Sequence, residues 1–122
     1  MLRYRLSDAA QGDVMDILAW THQQFGEPAR LRYESLIVAA LRDVATQPDR
    51  PGSIARPELG AGVRSWHLRL GRDHVGQGAQ VVRQPRHFLV YRFQQPALLV
   101  VGRVLHDAME LARHLDPDAS WE

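Results

Sequence analysis

His67, His87 and His106, together with Arg64, Arg69 and Arg103, are the residue types in this chain on which proton transfer and anion recognition depend. Histidine has an ordinary pKa close to neutrality, so these three rings are the groups able to supply an acid or a base at physiological pH. Arginine stays charged, with a pKa above about 12, and its planar fork matches a phosphate or a carboxylate. Arg64, Arg69 and Arg103 would therefore stabilise an anion and be poor proton carriers. Arg103 and His106 belong to Arg103-Val104-Leu105-His106-Asp107, where an apolar run of strand length meets a helical pattern. A junction of that kind presents side chains from a rigid frame. Arg64 follows Gly60-Ala61-Gly62-Val63, a run that lets backbone approach a partner. Each residue also has a plainer reading. Arg103 would pair with Asp107 or with carbonyls at a sheet edge, His106 would fill the position before a helix cap, and Arg64 would be a solvated charge at the start of a strand.

Other chemistries find less support. His67 and His87 would face each other across neighbouring strands, but no third or fourth ligand has zinc spacing, so no metal is expected. Ser65 lies near His67 without the strand-to-helix turn that exposes a nucleophilic serine. Gly71, Gly76 and Gly78 precede no Gly-Lys-Ser/Thr, so they form no phosphate loop, and no cofactor motif is present.

The chain has 122 residues and reads as a single domain over 1–122. Its apolar runs, Ala97 to Val101 among them, are far short of the roughly 20 residues that span a bilayer. The start, Met1-Leu2-Arg3-Tyr4-Arg5, lacks an apolar signal region, and there is no cysteine, so a cytoplasmic protein without thiol chemistry is expected. Net charge is +1, which points away from general nucleic-acid binding. Every basic residue is arginine, a bias that a GC-rich genome produces by itself. Clustering is a separate matter: from Val63 to Arg103 there are seven arginines against the single acid Asp73. Such a half-molecule suits an acidic peptide, a phosphate backbone or an acidic protein.

Leu2, Tyr4 and Leu6 alternate with Arg3, Arg5 and Ser7, which predicts an edge strand with one face buried. Asp8 and Gln11 resemble a capping box, and Val14, Ile17, Leu18, Thr21 and Phe25 repeat at helical spacing. Gly26 ends that helix and Pro28 opens another, whose stripe is Tyr33, Leu36, Ile37, Ala40, Leu41 and Val44. The two should pack as an antiparallel hairpin. Pro48, Pro51, Gly52, Pro57, Gly60 and Gly62 predict a loop with neither helix nor strand. Trp66, Leu68 and Leu70 alternate with Ser65, His67 and Arg69 as a second strand. Gly71 to Arg86 reads as a long mobile excursion. In a third strand His87, Leu89, Tyr91 and Phe93 share a face, and in a fourth, Leu98 to Val101, both faces are apolar, which places it inside the sheet. Asp107, with Glu110, would cap a last helix carrying Ala108, Leu111, Ala112 and Leu115, ended by Pro117.

The order β-α-α-β-β-β-α resembles the ParE/RelE superfamily of bacterial toxins. So do Leu6-Ser7 before the first helix, Phe25-Gly26 at the hairpin bend, Gly62-Val63-Arg64-Ser65, Phe88-Leu89-Val90-Tyr91-Arg92 and Arg103-Val104-Leu105-His106. The resemblance covers nearly the whole chain and is to the ParE branch. It implies an α+β fold in which an antiparallel four-stranded sheet packs on a helical hairpin and a C-terminal helix. It also implies the toxin of a type II toxin–antitoxin system, of the kind linked to plasmid stabilisation. Such a toxin forms a hetero-oligomer with a cognate antitoxin.

ParE-like toxins act on DNA gyrase and RelE-like toxins cleave messenger RNA on the ribosome. Cleavage of RNA requires groups that activate a 2′-hydroxyl, stabilise charge on phosphorus and protonate the leaving oxygen. In the RelE branch lysines, arginines and a C-terminal tyrosine serve. Here there is no lysine, and Asp116 to Glu122 holds no tyrosine. Inhibition of gyrase by binding is therefore the first expectation, with Arg64, Arg103 and His106 as target contacts. The alternative is an mRNA endonuclease using Arg64, His67, Arg69, Arg103 and His106.

Overall fold

The computed structural model describes residues 2–71, 82, 84–94 and 96–108. The chain runs β1 (Arg3–Leu6), α1 (Asp8–Phe25), α2 (Glu27–Thr46), β2 (Ile54–Ala55), β3 (Val63–His67), β4 (His87–Gln94) and β5 (Leu98–His106), with 3-10 turns at Pro57–Leu59 and Leu68–Leu70. The two helices pack along each other and cover one face of the sheet.

Ser7, not Asp8, is the cap of α1. Its Oγ accepts from the Ala10 amide at 3.0 Å, while Gln11 donates back to the Leu6 carbonyl at 3.1 Å. The cap is therefore one residue earlier than expected, and Gln11, bonded to the Leu6 carbonyl, does not complete a capping box. Gly26 closes α1 and opens α2 with φ of 89°, a conformation that side-chain-bearing residues rarely adopt. The α2 stripe is buried as its spacing requires, from Tyr33 to Val44. Phe25 departs from the α1 stripe and is 67% exposed, because the helix has by then passed the end of the sheet.

Among the described residues the sheet has five strands in the order β1-β5-β4-β3-β2 and is mixed, not four-stranded and antiparallel. β1 is an edge strand, as its alternation predicts, but it runs parallel to β5, with Arg3 opposite Leu98 and Leu6 opposite Val101. Alternation reports which face is buried and carries no information on strand direction. The extra strand is Ile54–Ala55, which pairs with Ser65 and Arg64 inside the proline- and glycine-rich stretch. Two residues suffice for a ladder there because Pro51, Gly52 and Pro57 flank the pair without occupying it. β3 is shorter than expected. After His67 the chain turns, with the His67 ring accepting from the Arg69 amide at 3.1 Å, so Leu68 and Leu70 lie in a 3-10 turn. The expected helix from Asp107 to Leu115 lies outside the described residues from Met109 onward, as do residues 72–81 and 83 of the Gly71 to Arg86 excursion. Asp107 and Ala108 form a turn.

Both faces of the sheet are apolar. Trp66, Leu89, Tyr91, Leu99, Val101 and Val104 pack with the helices, while Val63, Phe88, Val90, Val100 and Leu105 form a second cluster with Leu59. One irregularity sets the site. Val90 pairs with Arg103 and Tyr91 with Val101, so Gly102 is an extra residue, a β-bulge. It shifts the alternation of β5, and Val104 returns to the helix side with Val101. His106, two residues on, follows Val104 to that side and lies opposite His87.

Candidate functional site

The histidines converge at one end of the sheet because three strands terminate together there. β3 ends at His67, β4 starts at His87, and β5 ends at His106. The His87 and His106 rings meet edge to face with centroids 5.3 Å apart. Tyr33, from the buried stripe of α2, reaches His87 Nδ1 at 2.6 Å, and its hydroxyl oxygen accepts from the Arg86 amide at 3.3 Å. Asp107 closes the cluster. One of its oxygens lies 3.1 Å from His67 Nε2, the other 3.0 Å from the Arg86 guanidinium, and its amide donates to the Arg86 carbonyl at 2.8 Å.

These contacts fix where the ring protons sit. His67 Nδ1 accepts from Arg69 N–H, and His106 Nδ1 accepts from Ala108 N–H at 3.0 Å. At His87 the Tyr33 hydroxyl accepts from Arg86 and shares a second hydrogen bond with Nδ1, whose direction follows the tautomer of the ring. His67 and His106 are then Nε2–H tautomers, assigned from the hydrogen-bond network. His67 spends its Nε2–H on Asp107. His106 lines a groove.

Electrostatics agree with a neutral ring at His87. Burial, then the neighbouring His106, lowers the His87 pKa to about 4. Burial pushes Tyr33 up to about 12, so it remains a phenol and a donor. Asp107 is lowered on balance: burial works to raise its pKa, but the His67 hydrogen bond and the Arg86 charge outweigh it.

The groove lies where α1 and α2 extend past the sheet, and its volume is about 1310 Å³. Ile17, Trp20 and Phe25 line one wall, Tyr33, His87 and His106 form the polar floor, and Asp16, Arg32 and Arg86 add charges. Trp20 and Phe25 are 55% and 67% exposed and touch edge to face at 5.7 Å.

The expected arginines are not gathered at this cluster. Arg103 turns to α1, where Nε and Nη2 meet the Asp13 carboxylate at 2.7 and 2.9 Å. The same carboxylate accepts from the Val104 amide at 2.9 Å, which satisfies part of β5 beyond the end of β1. The partner of Arg103 is thus Asp13, in place of the Asp107 that sequence suggested. Arg64 ties β3 to Ser53, reaching its Oγ at 2.8 Å. Arg69 is exposed in the turn after β3. Among the described residues no cluster of three or more potential metal ligands is present. Sequence reasoning passed over Tyr33, Asp13, Arg86 and Trp20. Tyr33 and Trp20 could be read only as helix-face residues, and Asp13 and Arg86 are assigned by contacts between distant segments.

The comparison with curated proteins returns no match. A family model described as the ParE toxin of the type II toxin–antitoxin system, parDE, matches residues 4–111. Apart from Arg3 at the start of β1, that span takes in the described strands and helices, and the chain belongs to the ParE toxin family of type II toxin–antitoxin systems.

Proposed function

We propose that this toxin acts by binding, with DNA gyrase as its target and a cognate antitoxin as its neutraliser in a hetero-oligomer. The observation that carries the reading is the state of the three histidines. A general base needs a free lone pair, and the Nδ1 lone pairs of His67 and His106 each accept a backbone N–H, while His87 Nδ1 shares a hydrogen bond with the Tyr33 hydroxyl. In this arrangement the three rings are committed to hydrogen bonds within the fold. Arg103 and Arg64, the expected anion holders, are engaged by Asp13 and Ser53.

One observation favours messenger RNA cleavage as a second reading: His67, His87, His106, Asp107 and Arg86 do lie together. The experiment compares purified toxin in two assays. The binding reading expects inhibition of gyrase supercoiling or trapping of cleaved DNA, with ribosome-bound messenger RNA left intact. Cleaved messenger RNA with unaffected gyrase reverses the assignment.

A further inference from the structure

Between Leu31 and Arg42 the residues of α2 that reach solvent are Leu31, Glu34, Ser35, Val38 and Arg42, and the exposed Glu27 precedes Leu31 by one turn. Intervals of three and four put all of them on one face of the helix, turned away from the stripe that Tyr33, Leu36 and Ala40 bury in the core. Isolated apolar residues on a surface are ordinary. Here Leu31 and Val38, 48% and 37% exposed, stand one heptad apart on a single line, and Ser35 between them is small enough to let another helix approach. Charge is divided along the same line, with Glu27 and Glu34 towards the start of α2 and Arg42 towards its end. Arg30 holds Glu34 at 3.0 Å and reaches Glu27 only at 3.9 Å, so Glu27 is the looser carboxylate. Among the described residues Arg42 makes no ion pair.

Reversed, this pattern fits itself. About a two-fold axis level with the link between Glu34 and Ser35, Leu31 of one copy comes to the height of Val38 of the other, and Glu27 to the height of Arg42. Symmetry then makes each contact twice. We propose that α2 packs antiparallel against α2 of a second copy of this chain, with Leu31 on Val38 and Glu27 beside Arg42 at both ends of the seam. Glu34, about 60° round the helix from Leu31, stays at the flank with its own Arg30. An anionic membrane fits less well, because Glu27 and Glu34 would face its charge. α2 offers Arg32 and Tyr33 to the groove from positions about 100° or more round the helix from Leu31, so the seam leaves the groove of each copy open. A single helix pair about 22 Å long buries less than the roughly 1,200 Å² of standard interfaces, so the dimer is weak and reversible, with a Kd of roughly 10–100 μM.

The proposal does not depend on gyrase. Sedimentation equilibrium of the purified chain from about 1 to about 500 μM should show monomer passing to dimer. Leu31→Glu should raise the Kd roughly tenfold or more, while Ile54→Ser, exposed on the far edge of the sheet, leaves it unchanged. Arg42→Glu and Glu27→Arg should each weaken self-association, and mixing the two variants should restore it, since every Glu27–Arg42 contact then joins opposite charges. Thermal unfolding of each variant near that of the parent chain separates dissociation from loss of fold. A chain that stays monomeric throughout, a dimer that survives Leu31→Glu, or a mixture no tighter than its components would overturn the proposal. So would a dimer that dissolves in Trp20→Glu alone, which would move the contact to the groove, or lost antitoxin binding in Leu31→Glu at unchanged stability, which would give the stripe to the antitoxin.

Discussion

His87 is the residue whose surroundings make the sharpest demand on pH. Its pKa falls from 6.5 to about 4 on folding because burial, and then His106, oppose its charge. Between those values the unfolded chain takes up a proton that the folded chain refuses, so stability is complete above about pH 6.5 and declines as pH drops towards 4. Allowing for partial exposure, the loss across the window is about 2 kcal/mol. Asp107, held below its ordinary 3.8, adds to the loss only in more acidic solution. Urea unfolding at a series of pH values checks this, and His87→Gln should flatten the slope; equal slopes in the two proteins would remove His87 as the cause. Arg103 makes a different demand. Its pair with Asp13 is largely shielded, with side chains 24% and 15% exposed, so Arg103→Ala strands a carboxylate and should cost about 1–3 kcal/mol. Full stability combined with lost growth inhibition would instead place Arg103 against a partner.

Between elements, the start of α1 fastens to β5. The Ser7 hydroxyl caps the helix and donates to the Gly102 carbonyl at 2.7 Å, at the bulge that turns His106 inward. Ser7→Ala removes both contacts from a site only 2% exposed, and should cost about 1–2 kcal/mol in denaturant unfolding. A loss near zero would mean that water or a backbone shift replaces the hydroxyl. Much at this scale was legible from local pattern: the β1 alternation, the break at Gly26, the α2 stripe from Tyr33 to Val44, and the buried β5. What escaped depends on contacts between distant segments. Ile54–Ala55 becomes a strand only because Ser65 and Arg64 offer an edge, and β1 runs parallel to β5 because of where the helices return the chain. The end of β3 at His67 rests on a ring-to-backbone bond that alternation does not register. For the same reason the histidines could be nominated from sequence, while Tyr33 and Arg86, which fix His87 and Asp107, could not.

Across the whole molecule, strand ends, a bulge and two overhanging helices bring a ring donor, His106, to an aromatic groove. Binding and turnover place opposite requirements on that donor, and His106 can be made to report which one holds. Binding needs only an N–H at the Nε2 position, which a glutamine amide can supply; acid–base catalysis needs a group that gains and loses a proton near neutrality, which an amide cannot. His106→Gln should therefore retain most of the growth inhibition and of the effect on gyrase supercoiling, while His106→Ala, lacking any donor, should lose roughly tenfold or more in potency. His106 is partly exposed at a strand end, and thermal unfolding of both variants would confirm that the difference is not one of folding. Equal loss in His106→Gln and His106→Ala, accompanied by lost cleavage of ribosome-bound messenger RNA, would show that the ring's titration matters and would move this toxin from binding to catalysis.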